Sequence, residues 1–338
     1  MSGDGVRGQA LLRRYSAGIR FHDFSGVPMT TPSPGAPAAH RPVPELGRIG
    51  LWTAALDHMP VSRLRETVAE LDELGYGTLW WGEAVGREAF TQALLVLGAA
   101  PRIAAATGIA NVWARDAMAA NAAARTVDDA YPGRFLTGLG ISHDGLVEGL
   151  RPGGRRYEKP LAHLRGYLDA MDSALYLAAG ADTPRPARVL AALGPRMLDL
   201  ARERAEGAHT YLVTPEHTAE ARAALGPDRM LAVEQAVVLS DDRETVLRRA
   251  RTHLGMYLAL PNYRRNLLRL GLTEADFEAG GSARLIDRLI LSGSESAVEE
   301  GVRAHVAAGA DHVCLQVLGD TLGEAPTADW RRLAAALI

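Results

Sequence analysis

The hydrophobic positions of the chain follow two alternating patterns from about residue 48 onward. Short apolar runs are separated by longer segments in which apolar residues recur every three or four positions. The first run ends at Trp52, and Leu64, Val68 and Leu71 then fall on one face of a helix that Gly75 ends. Strands that alternate with helices in this way are typical of parallel βα units.

Eight such strands in strict alternation with helices predict a closed (β/α)8 TIM barrel rather than an open doubly wound sheet. The extra residues fall after strands four and seven, where we expect insertions. We place the strands at residues 48–52, 78–81, 102–109, 135–139, 188–193, 208–212, 230–239 and 312–317. The clearest helices are predicted at 61–74, 88–99, 116–130, 160–176, from about 195, from 242 to about 270, and at 294–308.

The first 44 residues differ from the rest of the chain. They lack amphipathic periodicity and become rich in proline from Pro28 to Pro44. We therefore expect a flexible N-terminal extension over residues 1–44, followed by a single barrel domain over residues 45–338.

Composition narrows the class of ligand. The formal net charge is −3, and no run of 18 apolar residues is present, so we expect neither a nucleic-acid partner nor a membrane span. Cys314 is the only cysteine, which excludes an intrachain disulfide and fits a reducing cytoplasm. The histidines lack the spaced partners that a metal needs. These features favour a small-molecule ligand and predict no metal site.

Function in a barrel of this kind lies after the carboxyl ends of its strands, and the richest such segment is residues 131–143. It reads Tyr-Pro-Gly-Arg-Phe-Leu-Thr-Gly-Leu-Gly-Ile-Ser-His. Gly138 and Gly140 would let a planar ring approach the backbone, and His143 titrates in the range useful for proton transfer. A dinucleotide-binding fingerprint would need a third glycine where His143 stands, so that alternative is rejected.

This segment resembles the GRF-x-x-G-x-G motif of the bacterial luciferase-like superfamily. Residues 106–113, 193–197 and 309–313 are similar to segments of its deazaflavin-dependent branch, so the resemblance extends roughly from Arg48 to Leu318. It implies a luciferase-like barrel that binds coenzyme F420, an 8-hydroxy-5-deazaflavin, or alternatively FMN. The chemistry implied is hydride transfer at the central ring of the cofactor.

The resemblance also implies roles for individual residues. His143 falls where related enzymes carry a proton donor or acceptor, and Glu83 where a relative has an acidic residue followed by histidine, here replaced by Ala84. A rim histidine without a catalytic task and a carboxylate that caps a helix or forms a salt bridge are the structural alternatives. A non-proline cis peptide is implied between Ile109 and Val112.

A helix that begins at Gly194 and Pro195 would present free N–H groups to a cofactor phosphate, with Arg196 adding charge. Lys159 is the only lysine, so arginines must take the place of the lysines that related enzymes use near this phosphate. The complete set of cofactor-binding residues predicted is Thr107, Ala110, Asn111, Val112, Gly138, Gly140, Ser142, Gly194, Pro195 and Arg196.

Aromatic side chains near strand ends can wall a substrate pocket, although such residues are also ordinary core fillers. The residues predicted to line the pocket are Trp52, Trp81, Trp113 and Tyr263. A basic loop containing Arg151, Arg155 and Arg156 either closes over an anionic ligand or is merely solvated.

Three functions follow. The first is an F420-dependent oxidoreductase acting on a small organic substrate. The second is an FMN-dependent monooxygenase that uses reduced flavin and oxygen and receives its flavin from a separate reductase. The third is a barrel that binds a ligand without catalysis. The resemblance also implies a homodimer.

Overall fold

Ten parallel strands form one sheet in the computed structural model, which describes residues 40–150 and 156–338. Residues 1–39 of the predicted extension and residues 151–155 of the predicted basic loop lie outside the described residues. The strands are β1 (Ile49–Trp52), β2 (Thr78–Trp81), β3 (Ala104–Thr107), β4 (Ala110–Asn111), β5 (Phe135–Gly140), β6 (Arg188–Ala191), β7 (Gly207–Thr210), β8 (Met230–Val238), β9 (Ile290–Ser292) and β10 (His312–Val317).

Helices follow most of these strands. They are α1 (Val61–Glu73), α2 (Ala89–Leu97), α3 (Ala117–Ala130), α4 (Pro160–Asp172), α5 (Pro195–Arg204), α6 (Pro215–Leu225), α7 (Arg243–Tyr257), α8 (Pro261–Arg269), α9 (Ala283–Leu289), α10 (Glu295–Ala307) and α11 (Thr327–Leu337). Their starts carry the expected signals: the carboxylates of Glu88, Asp116 and Asp242 accept hydrogen bonds from the first turns of α2, α3 and α7. Prolines stand in the first turns of α4, α5, α6 and α8.

The sheet closes on itself, because β10 pairs with β1 on one side and with β8 on the other. Around the barrel the order is β1, β2, β3, β5, β6, β7, β8 and β10. The two remaining strands are short: β4 pairs with the end of β5, and β9 pairs with the last residues of β8. The predicted (β/α)8 barrel is therefore confirmed.

Two parts of the chain differ from the sequence prediction. The third strand, predicted over residues 102–109, is interrupted after Thr107, and a cis peptide joins Gly108 to Ile109, just before the stretch in which one was expected. The helical segment predicted from 242 to about 270 is divided, because Pro261 starts a new helix. Between α8 and α10 the chain also forms α9 and β9, where a loop was predicted.

The barrel interior and the layer between barrel and helices are filled by different residues of the same strands. Trp80 lies in the interior with Leu136 and Val189, whereas Trp81 packs in the outer layer. Successive side chains of a strand point to opposite faces, which explains this division. At the interior base, the Trp80 indole donates to Nε2 of His312 (3.0 Å), and Nδ1 of His312 lies 2.8 Å from Gly47 O.

The described chain is attached to the barrel from its first residue. His40 forms a β-bridge with Arg185, and Arg41 forms an ion pair with Asp128 at 2.9 Å. Residues 40–44, which were predicted as the end of the extension, therefore contact the barrel domain.

Gly138 in β5 provides a test of this packing. A Cβ atom at this position would lie 1.8 Å from Thr107 O, a backbone atom that cannot move independently. We expect Gly138→Ala to lower the free energy of unfolding by about 2 to 4 kcal/mol or to prevent folding. Gly166 in α4 is the matched control, since a Cβ there meets nothing within 4 Å.

Gly166→Ala should be neutral or should stabilise the protein by up to about 1 kcal/mol, because alanine favours a helix interior. Chemical denaturation of both variants checks the pair. Equal stability of the two would show that β3 and β5 do not approach as closely as described.

Candidate active site

A backbone bulge at the barrel mouth, residues 108–111, is held by Glu83. One carboxylate oxygen of Glu83 accepts from Asn111 N at 2.8 Å, and the other accepts from Ala89 N at 3.2 Å and from Arg115. The backbone N–H of Glu83 donates to Ile109 O at 3.0 Å. Both oxygens of this nearly buried carboxylate are thus bonded within the protein, which is the capping and salt-bridge arrangement weighed as an alternative to catalysis.

The same bulge is fixed from the neighbouring strands. The Trp52 indole donates to Gly108 O at 2.9 Å, and Val112 N donates to Gly140 O at 3.1 Å. The Thr107 hydroxyl donates to Gly138 O at 2.7 Å and accepts from Gly138 N at 2.8 Å. Backbone and side-chain bonds from three strands therefore determine the path of this segment.

The predicted glycines do not leave open space for a ring. A Cβ on Gly140 would lie 2.5 Å from the Ile109 side chain, just as one on Gly138 would meet Thr107. The space beside both residues is occupied by the bulge itself. The missing side chains therefore make room for the Thr107 backbone and the Ile109 side chain, so any effect of these glycines on a cofactor would be exerted through the shape of the bulge.

His143 lies three residues beyond β5, after a turn in which Ser142 has a φ of 59°. Its half-buried ring lies 5.6 Å from that of Tyr263, centroid to centroid. Burial lowers the pKa of His143, while the charge of Asp144 and a hydrogen bond with the Asn262 side chain oppose that effect. The imidazole is therefore mainly neutral near pH 7 and can accept a proton.

Three tyrosines, Tyr211, Tyr257 and Tyr263, pack together inside the mouth and form what we call the tyrosine cluster. The Tyr211 hydroxyl donates to Gln316 Oε1 at 2.6 Å and lies 2.8 Å from the Tyr257 hydroxyl. Because Tyr211 has only one hydroxyl hydrogen, Tyr257 must be the donor to Tyr211. Trp52 contacts Tyr211 edge to face at 5.5 Å, which connects the cluster to the bulge.

Glu234 lies below this cluster, on β8. Its Oε2 accepts from Leu212 N at 3.0 Å, while its Oε1 has no hydrogen-bond partner among the described residues. Burial raises the pKa of Glu234 to about 8. The carboxyl group is therefore mostly protonated at neutral pH, and the barrel interior is polar without being charged there.

The start of α5 is open to solvent. A Cβ on Gly194 would meet no atom within 4 Å, and no side chain caps the helix. The Arg196 side chain is exposed and forms no ion pair with any described residue. A helix N-terminus with an adjacent unpaired guanidinium can accommodate a phosphate group, and the phosphate-binding role of Gly194, Pro195 and Arg196 stays a prediction.

The predicted aromatic residues divide into two groups. Trp52 and Tyr263 lie at the mouth, as described above. Trp113 stacks on His163 with ring centroids 3.7 Å apart and donates to Ile141 O, so it belongs to the outer wall formed with α4. Trp81 packs in the layer between barrel and helices, so its side chain points out of the barrel interior. The alternation of side chains along β2 directs its neighbour Trp80 inward instead.

Sequence reasoning missed several residues of the mouth. Glu234 had a signal, because it is a charged residue within the apolar run 230–238. His253 and Tyr257 stand four residues apart on α7 and so share a helix face. Tyr211 and Gln316 had no local signal, since they are distant in sequence and meet only in the closed barrel.

Two structural facts concern metals and membranes. In the described ranges 40–150 and 156–338, no three His, Cys, Asp or Glu side chains are grouped so that they could hold a metal ion. No helix in those ranges combines the length and apolar character that crossing a bilayer requires.

Comparison with known proteins finds a matching family model, a related sequence and solved structures with the same fold. The model of the luciferase-like monooxygenase family matches residues 35–312. A Mycobacterium tuberculosis protein, provisionally named a coenzyme F420-dependent oxidoreductase, is 34% identical over 122 residues, or 36% of this chain. That match covers 33% of the relative, so the alignment spans about a third of its length.

Two solved structures share the fold. An F420-dependent secondary alcohol dehydrogenase in complex with an F420-acetone adduct superposes with a TM-score of 0.67 at 12% identity, over 86% of this chain and 98% of that one. A type II Baeyer-Villiger monooxygenase from Pseudomonas putida in complex with FMN gives a TM-score of 0.61 at 14% identity, over 85% and 95% of the two chains.

Replacing Glu234 by glutamine tests the protonated carboxyl. The folded-state pKa of about 8 lies above the ordinary value of 4.5, so the native protein loses stability as pH rises from about 5 towards 8. Glu234→Gln removes this dependence. Relative to the unmodified protein, its free energy of unfolding should rise by up to about 1.4 kcal/mol per pH unit over that range.

Urea denaturation between pH 5 and pH 8 gives the measurement. Glu299→Gln, which removes an exposed carboxylate on α10, should leave the pH dependence unchanged. A difference between Glu234→Gln and the unmodified protein that stays constant with pH would show that Glu234 is ionised in the fold.

The titration of His143 is a second test of the mouth. We expect its pKa, measured from the histidine ring resonances by NMR, to lie below 6.5 because the ring is partly buried. Asp144→Asn should lower the pKa further, because the carboxylate stabilises the imidazolium form. His143→Gln identifies the resonance, and a pKa that rises in Asp144→Asn would contradict the described electrostatics.

Proposed function

The chain belongs to the luciferase-like monooxygenase family, and from that membership we propose that it is an oxidoreductase that uses coenzyme F420 to act on a small organic substrate. The observation that carries the proposal is the bulge at residues 108–111, which Glu83 and Trp52 hold by hydrogen bonds at the same barrel mouth as His143 and the open start of α5. The similarity of this chain to the Mycobacterium tuberculosis relative, which is provisionally named F420-dependent, supports F420 as the cofactor.

The residues that would hold the cofactor are those of the bulge and of the helix start. Ala110, Asn111 and Val112 form the backbone surface of the bulge. The side-chain nitrogen Nδ2 of Asn111 is buried and has no hydrogen-bond partner among the described residues. Gly194 and Arg196 would hold a phosphate. When bound, the deazaflavin supplies a hydride carrier that exchanges two electrons at once.

His143 would manage the proton that accompanies hydride transfer. Oxidation of an alcohol needs a base for the hydroxyl proton, and the lowered pKa keeps the imidazole neutral for that task. The ring nitrogen that is not bonded to Asn262 would take the proton. Tyr263, which packs against the ring, limits its movement.

Glu83 would act as a positioning residue rather than as a second acid or base. Its oxygens hold Asn111 N, Ala89 N and Arg115, so removing the carboxylate would leave buried donors unpaired. Its contribution to activity would come through the shape of the bulge.

An FMN-dependent monooxygenase is the second candidate, favoured by the FMN complex of the Pseudomonas putida enzyme, which shares the fold. That reaction consumes oxygen and needs reduced flavin, whereas hydride exchange with F420 does not. A barrel that binds a ligand without catalysis is the third candidate. A homodimeric assembly, a cytoplasmic location and a separate cofactor reductase remain predictions from the sequence.

Titration of the purified apoprotein with F420 and, separately, with FMN tests this proposal. Binding is followed by cofactor fluorescence. We expect F420 to bind with a micromolar dissociation constant and FMN to bind at least about tenfold more weakly. Arg196→Ala should weaken F420 binding by about 5- to 30-fold, because one charge-assisted contact to phosphate is lost.

Arg202→Ala is the matched control, since Arg202 lies at the other end of α5 and pairs with Asp199. It should leave binding unchanged. Selective FMN binding with oxygen uptake in the presence of reduced flavin would favour the monooxygenase. Binding of neither cofactor would overturn both enzymatic proposals.

A further inference from the structure

The bulge at residues 108–111 is connected to a deeper part of the barrel through Trp52. The Trp52 indole donates to Gly108 O at 2.9 Å. The same indole contacts the Tyr211 ring edge to face, with 5.5 Å between ring centroids and 61° between ring planes. Trp52 is 7% exposed, so its neighbours determine where the indole can lie. The position of Tyr211 therefore influences the hydrogen bond that holds the bulge.

The Tyr211 side chain is held at its hydroxyl end and at its backbone end by different groups. At the hydroxyl end it donates to Gln316 Oε1 at 2.6 Å and lies 2.8 Å from the Tyr257 hydroxyl. At the backbone end the chain leaves β7, whose last residue is Thr210. The direction of the ring depends on the turn that the chain makes there.

That turn has an unusual backbone conformation at Leu212. Its φ is 56°, in the left-handed region that residues other than glycine rarely adopt. Leu212 is 2% exposed and lies beyond the end of β7, so its buried N–H needs an acceptor outside the strand ladder. Such a conformation persists only where the surrounding structure holds it.

Glu234 supplies the acceptor. Its Oε2 accepts from Leu212 N at 3.0 Å. Glu234 lies on β8 two residues from Ala232, which belongs to the interior cluster of the barrel, and residues two apart on a strand share a face. The Glu234 side chain is 1% exposed. A side chain so enclosed acts on the mouth through its neighbours, because it is not open to a ligand.

The chemistry of Glu234 at neutral pH is that of a neutral acceptor. Burial raises its pKa to about 8, so the carboxyl group is mostly protonated near pH 7. An amide of the same shape keeps this acceptor, whereas an apolar side chain leaves the Leu212 N–H unpaired. Glutamine and leucine at position 234 therefore separate the effect of the hydrogen bond from the effect of filling space.

We propose that Glu234 is a positioning residue of the cofactor-ring site, which acts through the Leu212 turn and Tyr211 to hold Trp52 against the bulge. The proposal rests on the proposed function for its relevance to a cofactor. Each contact in this path is direct: a hydrogen bond to the turn, an aromatic contact at the mouth and a hydrogen bond to Gly108 O.

The indole N–H resonance of Trp52, observed by NMR in the cofactor-free protein, reports the far end of the path. The chain has five tryptophans, and Trp52→Phe identifies the signal by its loss. We expect Glu234→Leu to shift this resonance, because the hydrogen bond to Gly108 O is disturbed. Glu234→Gln, which keeps the acceptor, should leave it close to its original position.

Titration with F420 measures the consequence for binding. Glu234→Leu should weaken F420 binding by about 3- to 10-fold, and Glu234→Gln by no more than about twofold. Gln235→Leu is the matched control. Gln235 is the next residue on β8 and faces the helices, where it bonds to His305 at 2.8 Å and donates to Leu289 O at 2.9 Å. Its replacement also removes a buried polar group, but should change neither the Trp52 resonance nor F420 affinity.

An unchanged Trp52 resonance in Glu234→Leu, or an equal shift in Gln235→Leu, would overturn the inference. If Glu234→Leu does not fold, Tyr211→Leu decides by F420 affinity, since it removes the ring in the middle of the path, and unchanged affinity would reject the positioning role.

The two proposals fail in different ways. F420 binding that is equally tight in the unmodified protein and in Glu234→Leu would reject the positioning role and leave the proposed function standing. A shifted Trp52 resonance in Glu234→Leu, together with no F420 affinity in the unmodified protein, would reject the proposed function instead.

Discussion

The arrangement of the barrel mouth depends on the close approach of β5 to the segment that follows β3. Because Gly138 and Gly140 carry no side chains, Thr107 and Ile109 can lie directly against them. The chain then turns out of the barrel wall and forms the bulge at residues 108–111. Glu83 satisfies the backbone donor that this turn exposes, and Arg115 neutralises the carboxylate.

This constraint explains why the residues of the motif need not touch a ligand. The two glycines and Thr107 act on one another, and Glu83 acts on Asn111 and Ala89. What these residues offer to a ligand is a fixed backbone surface. A preorganised surface lowers the entropic cost of binding. Positioning residues can therefore contribute to the affinity for a ligand that they do not contact.

The barrel interior below the mouth is polar, and its titratable groups are uncharged. Burial raises the pKa of Glu234 to about 8 and lowers the pKa of His312 to about 4 and that of His209 to about 3. Each shift avoids the cost of burying an unpaired charge. At the rim, by contrast, Arg196 is exposed and Arg249 is paired with Asp320.

The sequence predicted the fold well because each strand and helix carries its own local pattern. The predicted bounds of β2 and β10 agree with the structure, since turn residues flank both apolar runs. Side-chain direction was harder to predict, and Trp81 lies outside the mouth because a one-residue difference in a strand reverses the face. The cluster of Tyr211, Tyr257 and Tyr263 depends on barrel closure, which no local pattern encodes.

The order of strands around the rim relates the parts of the candidate site. The bulge follows β3, His143 follows β5, and the open start of α5 follows β6. Because β3, β5 and β6 are consecutive neighbours in the barrel, these three features occupy one continuous arc of the rim, with His143 in the middle. Their proximity is a consequence of strand order, which a sequence motif on any single strand cannot encode.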